Sequence, residues 1–229
     1  MLDERGTRIL DAATELLLRW GYRKITVEDI AREAGVGKGT VYLHWKTKQQ
    51  VFYGVFMREA MELARAILDR IREDVTFVLP GPMAAETFRQ VMARPIAKAM
   101  FTGDMEVLGE LVKAAPQPMQ LTSAAGFYDS YLALMRENGF VRDDLTNADL
   151  FYLMDASTVG FYVLHDLPLR PESSVDDRAR LMEDAVDRMI GPTRRPDRRR
   201  LPRLHGAAIE TFQKMVDALE QALVDSQVS

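Results

Sequence analysis

Cysteine is absent from the 229 residues. That excludes disulfides, zinc–thiolate sites and iron–sulfur clusters, and it suits a reducing compartment. Histidine is scarce: His44, His165 and His205 lie far apart, and no two have the i, i+4 spacing with which a helix offers a metal two imidazoles. No run approaches the roughly 18 apolar residues that span a bilayer. The first residues, MLDERGTR, carry acids in place of the apolar stretch of a secretory signal. Nor does any segment alternate apolar and polar residues as a half-buried strand does. These absences lead us to expect a cytoplasmic, all-α protein with no membrane partner, no metal and no cofactor.

What is present is a globular composition, 47% hydrophobic and 28% charged, with a formal net charge of -4. An acidic chain cannot be a uniformly basic nucleic-acid coat, but its charge is uneven. Residues 1–50 carry a net +2 and the remainder a net -6, and no acid occurs between Glu33 and Glu59, a stretch that holds Lys38, Lys46, Lys48 and Arg58. One small positive end on an acidic body fits an anionic partner, although a solvated helix face has the same composition.

Apolar residues recur with the 3.6-residue period along nearly the whole chain. A first helix is expected over about Gly6–Trp20, with Ile9, Leu10, Ala13, Leu16 and Leu17 on one face and Gly21 as its stop. Thr26 stands as N-cap of a short second helix that ends at Ala34-Gly35. A turn leads to a third helix over about Lys38–Trp45, and Thr47 with Gln50 forms a capping box for a long fourth over about Lys48–Glu73. The run Leu79-Pro80-Gly81-Pro82 breaks the chain. Further helices are expected over about 83–101, with a restart at Pro95, then 104–114, 119–137, 146–166 and 175–190. Pro116 and Pro118 separate two of them. The stretch 191–205 is rich in arginine and proline and reads as an exposed linker, before an amphipathic C-terminal helix over 206–226. The division that follows is a head over 1–48 and a body over 49–229.

Helix, glycine-containing turn and short polar helix make the helix-turn-helix plan, in which the second helix enters the major groove. Gly37, Lys38, Gly39 and Thr40 supply small and polar side chains at its N-terminal end. Lys38 can donate to guanine O6 or N7, and Thr40 can bond a base or touch a thymine methyl. Tyr42, His44 and Lys48 can bond flanking phosphates, which fixes position and not sequence. Thr26 is first a cap and second a phosphate contact.

Residues 8–55 resemble the DNA-binding domain of the TetR family of bacterial transcriptional regulators. The matching text runs from Arg8-Ile-Leu-Asp-Ala-Ala through Gly21-Tyr22 and Ile25-Thr-Val-Glu-Asp-Ile-Ala-Arg-Glu-Ala-Gly-Val-Gly-Lys-Gly-Thr-Val-Tyr-Leu-His-Trp45 to Lys48. The resemblance implies a homodimer with a three-helix head that binds a roughly palindromic double-stranded operator. It also implies a larger helical body that holds a small-molecule effector and dimerises through its last helices, here near 146–166 and 175–190. Three features depart from the family pattern: Trp45 where Phe is usual, Gly37 where Ser or Thr is frequent, and the extra C-terminal helix.

In the body, Met92, Phe101, Met105, Phe127, Tyr128, Tyr131, Met135, Tyr152, Met154 and Tyr162 are candidates to line an effector pocket, with Asp129, Asp155 and His165 to orient the ligand. For each aromatic or methionine alone ordinary core packing is the better explanation, and for each polar group a surface position serves equally well, while 13 Met in one chain suit an adaptable interior. The segment Gly35-Val-Gly-Lys-Gly-Thr40 imitates a nucleotide phosphate loop, but a charged helix precedes it where that loop needs a buried strand. No triad order, carboxylate pair or ligand spacing points to catalysis, so no enzyme is expected. The expected function is a sequence-specific transcriptional regulator, a repressor released from its operator by an effector. The alternative is a DNA-binding or partner-binding module without a ligand.

Overall fold

The structure, a computed structural model, describes residues 2–104, 108, 121–165, 173–192 and 196–227, the side chains of 121–125 and 198 excepted. Met105 lies outside the described residues, as do Asp166, Pro116, Pro118, Arg194, Arg195 and most of the helix expected over 104–114. Among the described residues there are ten α-helices and no strand: α1 Glu4–Trp20, α2 Val27–Glu33, α3 Lys38–His44, α4 Lys48–Glu73, α5 Pro80–Met92, α6 Pro95–Thr102, α7 Leu121–Glu137, α8 Asn147–His165, α9 Val175–Ile190 and α10 Leu201–Asp225. None of the described helices is long and apolar enough to cross a membrane.

The chain forms two compact units. The first contains Met1–Glu62, Pro95–Gln120 and Val216–Ser229, and the second contains Leu63–Arg94 and Leu121–Met215. The first unit thus extends well past residue 48. Its core shows why: Val51, Phe52, Val55 and Phe56 of α4 are buried in one cluster with Ile9, Leu10 and Leu17 of α1, Ile30 of α2 and Val41 of α3. Ile96 and Ala99 of α6 and Leu223 of α10 join the same cluster. The apolar stripe of α1 is the one its sequence spacing gives.

Local chemistry sets the helix ends. Asp3 caps α1 by accepting the Gly6 N–H at 2.6 Å, and Gly21, at φ 71, ends it in the left-handed region that favours glycine. Thr26 and Asp29 form a capping box at α2, Ser174 and Asp177 form another at α9, and Thr47 and Gln50 exchange backbone bonds of 3.1 Å at α4. The Leu79–Pro82 run does break the helical path, but Pro80 is itself the first residue of α5, where its missing N–H costs nothing.

In the second unit, α5 and α9 share the most extensive helix–helix contact. Gly81 permits it, since a Cβ there would collide with the Asp187 carboxylate. The buried Glu86 carboxylate is matched by Gln90 Nε2 at 2.7 Å, Arg89 at 3.5 Å and Arg70 at 3.7 Å, which compensates its desolvation. The C-terminal helix begins at Leu201 and not near 206, and a 3₁₀ turn over Arg198–Arg200 precedes it. Pro202 fits inside the first turn, where no intrahelical N–H donor is needed, so the arginine-rich linker is shorter than its composition suggests.

Candidate nucleic-acid interface

The capping box that starts α2 also fixes its direction out of the loop. Thr26 accepts from the Asp29 N–H at 3.2 Å, while the Asp29 carboxylate accepts from the Thr26 N–H at 3.0 Å. The Thr26 hydroxyl and backbone, with Arg32, hold the Asp29 carboxyl below the usual carboxylate range. Two residues after α2, Gly35 turns the chain at φ 64, a conformation that L side chains rarely adopt. Val36 then closes the turn through its N–H to the Ala31 carbonyl at 3.0 Å.

α3 is anchored along a single line. Val41 and Trp45, one turn apart, are fully buried. The opposite side is left outward: Lys38, Gly39, Tyr42 and Lys46 are exposed, and Thr40 is half-buried. Tyr42 is 41% exposed and Leu43 is 75% exposed. Gly37 caps α3 at φ -70 without a side-chain hydrogen bond. At Gly39 an added Cβ would meet nothing within 4 Å, and at Gly37 only Thr40 Oγ1 at 3.8 Å. Packing within the protein therefore requires neither glycine. Two small residues kept on an outward face at no internal need are what close approach of a rigid partner surface demands.

The expected contact residues are divided by the structure. Lys38 is exposed and pairs with Glu28, which holds the ammonium above its ordinary pKa and the carboxyl below its own. Its Nζ also lies 5.6 Å from the centre of the Tyr42 ring. An exposed pair of this kind is worth little, so an anionic partner can exchange for Glu28 at small cost. Lys48 does not share this face. Its Nζ donates to the carbonyls of Tyr22 at 3.0 Å and Ile25 at 2.9 Å and stands 4.0 Å over the Tyr22 ring, and burial lowers its pKa. It ties the end of the Tyr22–Lys24 turn to α4. His44 is largely buried, with Nδ1 at 3.1 Å from Gln227 Nε2 and Nε2 at 3.8 Å from Asp3, so it too is occupied inside the unit. Leu43 was missed. Its signal lay in the helical period, because a residue two positions from both Val41 and Trp45 faces away from the stripe they make.

The expected effector residues are also divided. Phe127 stacks edge-on to Phe212 at 4.6 Å, Tyr128 lies 5.1 Å from Phe151, and Tyr131 donates to the Val78 carbonyl at 2.9 Å. Burial pushes the Tyr128 phenol up to about 12 and Tyr131 well above its ordinary value. Tyr162 and His165 pack separately on Phe88, at ring distances of 5.3 and 6.1 Å. Met135 and Met154 are buried, and Met92 is half-buried at the end of α5. Asp129 accepts from Asn147 Nδ2 at 3.0 Å. Phe101 belongs to the first unit. Tyr152 is 72% exposed, and Asp155 lies exposed on the same helix with its carboxyl raised by partial desolvation. Phe88 and Phe212, central to the two ring clusters, were not among the candidates. Among the described residues no group of three His, Cys, Asp or Glu could hold a metal.

Residues 9–54 match the family model described as bacterial regulatory proteins, tetR family. Over 69 residues, 30% of this chain and 36% of the other, the chain is 33% identical to the fatty acid metabolism regulator protein of Bacillus subtilis (strain 168). It spans about a third of the length of such curated relatives. In fold it is similar to the fatty acid degradation regulator FadR from Bacillus halodurans, with a TM-score of 0.61 at 18% identity over 81% of this chain and 96% of that one. It is also similar to the transcriptional regulator FadR from Bacillus subtilis in complex with stearoyl-CoA, with a TM-score of 0.56 at 17% identity over 79% and 96%. The capped α2, the Gly35 turn and the two-point anchoring of α3 all fall within the stretch that is similar to the tetR family of bacterial regulatory proteins.

Proposed function

We propose that the protein is a sequence-specific transcriptional regulator that binds a roughly palindromic DNA operator as a homodimer and leaves it when a small amphipathic effector binds the second unit. One observation carries the DNA reading: α3 presents an outward face of Lys38, Gly39, Thr40, Tyr42 and Leu43 in which the glycine has no packing role. Lys38 and Thr40 then read base edges, while Tyr42 and the exposed Lys46 contact phosphate. Thr26 and Gly37 border the face, and Lys48 and His44 support it from within.

A second face supports the dimer. Tyr152, Val159 and Val163 are exposed on α8 at spacings of seven and four residues, which places them on one line along the helix. Leu181 of α9 is 62% exposed. Two copies that bury such faces against each other make an obligate interface on the order of 2,000 Å2 or more.

The effector is proposed from the aromatic and methionine side chains of the second unit, and the stearoyl-CoA complex of the Bacillus subtilis regulator makes long-chain acyl thioesters the first probes to try. Duplexes enriched by the full-length chain from a random pool define the operator. The chain and its operator complex are then titrated with the same acyl-CoA. A ligand that releases DNA must bind the complex more weakly than the free protein by the factor with which it lowers operator affinity, a coupling of about 1–3 kcal/mol for a working switch. Equal affinity for both forms, for every compound that binds, leaves a ligand-independent regulator. Absence of any enriched duplex overturns the DNA reading.

A further inference from the structure

The extra C-terminal helix does not end in solvent. From Val216 onward it belongs to the first unit, where Leu223 is buried in the common core and Leu219 and Ala222 pack against it. The two residues that follow the helix are polar, and both engage the end of α3. Trp45, the residue just past α3, donates its indole N–H to Ser226 Oγ at 3.2 Å, and that hydroxyl donates in turn to the Leu223 carbonyl at 2.6 Å. A hydroxyl has one proton and two lone pairs, so it can do both at once. Gln227 Nε2 lies 3.1 Å from Nδ1 of His44, the last residue of α3.

Two glycines make room for this pair. A Cβ on Gly54 of α4 would stand 3.3 Å from both Ser226 Oγ and the Trp45 indole nitrogen, and a Cβ on Gly6 of α1 would stand 3.2 Å from Gln227 Nε2. The site is thus built from four parts of the unit: α1, the α3 terminus, α4 and the C-terminal turn. It also accounts for a tryptophan at position 45. A phenylalanine would fill the apolar space, whereas a buried indole N–H needs an acceptor, and the acceptor comes from 181 residues away.

Resting on the DNA-binding reading above, we infer that Ser226 and Gln227 are positioning residues for the recognition helix α3. They do not touch DNA. They fix the rotation of the two side chains that end α3, and thereby the direction of its outward face. A seven-residue helix has little stability of its own. Its orientation is set by its anchors, and Trp45 is the distal one.

The test uses the full-length chain and two duplexes, one enriched from a random pool by that chain and one of scrambled sequence. Ser226→Ala is expected to lower affinity for the enriched duplex by roughly fivefold or more, on the scale of a buried donor left unpaired, while changing affinity for the scrambled duplex by less than about twofold. In a Trp45→Phe background, which has no indole N–H to satisfy, Ser226→Ala is expected to add less than about twofold. Gln227→Ala removes one amide from a half-buried position; it gives the same pattern with a smaller amplitude and supplies the test should Ser226→Ala not fold. Unchanged affinity for the enriched duplex, equal loss on both duplexes, or an undiminished effect in the Trp45→Phe background overturns the inference alone. Failure of the unmodified chain to enrich any duplex overturns the DNA-binding reading, and the positioning role with it.

Discussion

Gly39→Ala separates the needs of the fold from those of DNA binding. Gly39 lies inside α3, and a methyl there would meet no protein atom within 4 Å. Replacing a helical glycine by alanine without a clash stabilises by about 0.5–1 kcal/mol, mainly by restricting the unfolded chain. In a protein of this size that raises Tm by about 1–4 °C. At the DNA the sign reverses. A methyl on the face that meets the groove holds α3 away from the base edges and removes at least one base contact, worth about 1–3 kcal/mol. The operator affinity is then expected to fall roughly 5- to 150-fold.

Thermal melts and anisotropy titrations of a labelled operator duplex check the two halves of this prediction on the same sample. Gly35→Ala is the control. It also has open space around the new methyl, but its φ of +64 sets the outcome. Forcing alanine into the left-handed region costs about 1–2 kcal/mol, so Gly35→Ala should lower Tm and leave the operator affinity of the folded protein nearly unchanged. Gly39→Ala that melts higher yet binds operator as tightly as the unmodified chain would refute the assignment of this face to DNA. Gly39→Ala that melts lower would refute the open-space argument itself.

Three further outcomes are expected. Lys48→Met removes two hydrogen bonds from an ammonium to buried carbonyls; it should destabilise the fold by on the order of 1–3 kcal/mol and leave the salt dependence of DNA binding unchanged, whereas Lys46→Met should reduce that dependence with no change in Tm. Tyr152→Asp combined with Val159→Asp puts charges into the exposed α8 face and should yield monomers in sedimentation at micromolar concentration; a stable dimer would remove this face from the interface. Asp29, held below the ordinary aspartate range chiefly by the Thr26 hydroxyl, binds its proton less readily folded than unfolded. Its contribution is therefore complete above the ordinary aspartate value and lost as pH falls through the lowered one, so Tm of the unmodified chain should drop with acid more steeply than that of Asp29→Asn.

The head was legible in the sequence because its information is local. The α1 stripe needs only the 3.6-residue period, Gly21 and Gly35 mark positions where the backbone must turn left-handed, and Thr26 with Asp29 is a cap written in four consecutive residues. Val41 and Trp45 fix which side of α3 goes inward, and hence which residues remain for a partner. The body was legible only as helices. Its aromatic residues have the same spacing whether they line a cavity or pack ring against ring, and only the fold assigns Phe127 to Phe212 and leaves Tyr152 in solvent. Charge was ambiguous for a related reason. Lys38 and Lys48 are alike as residues, yet one stands at an open helix start while the other reaches two carbonyls more than 20 positions away. The C-terminal turn shows the limit most plainly: sequence spacing cannot reveal that Ser226 answers Trp45, because the indole N–H and its acceptor meet only after the chain has folded both α4 and α10 into one core.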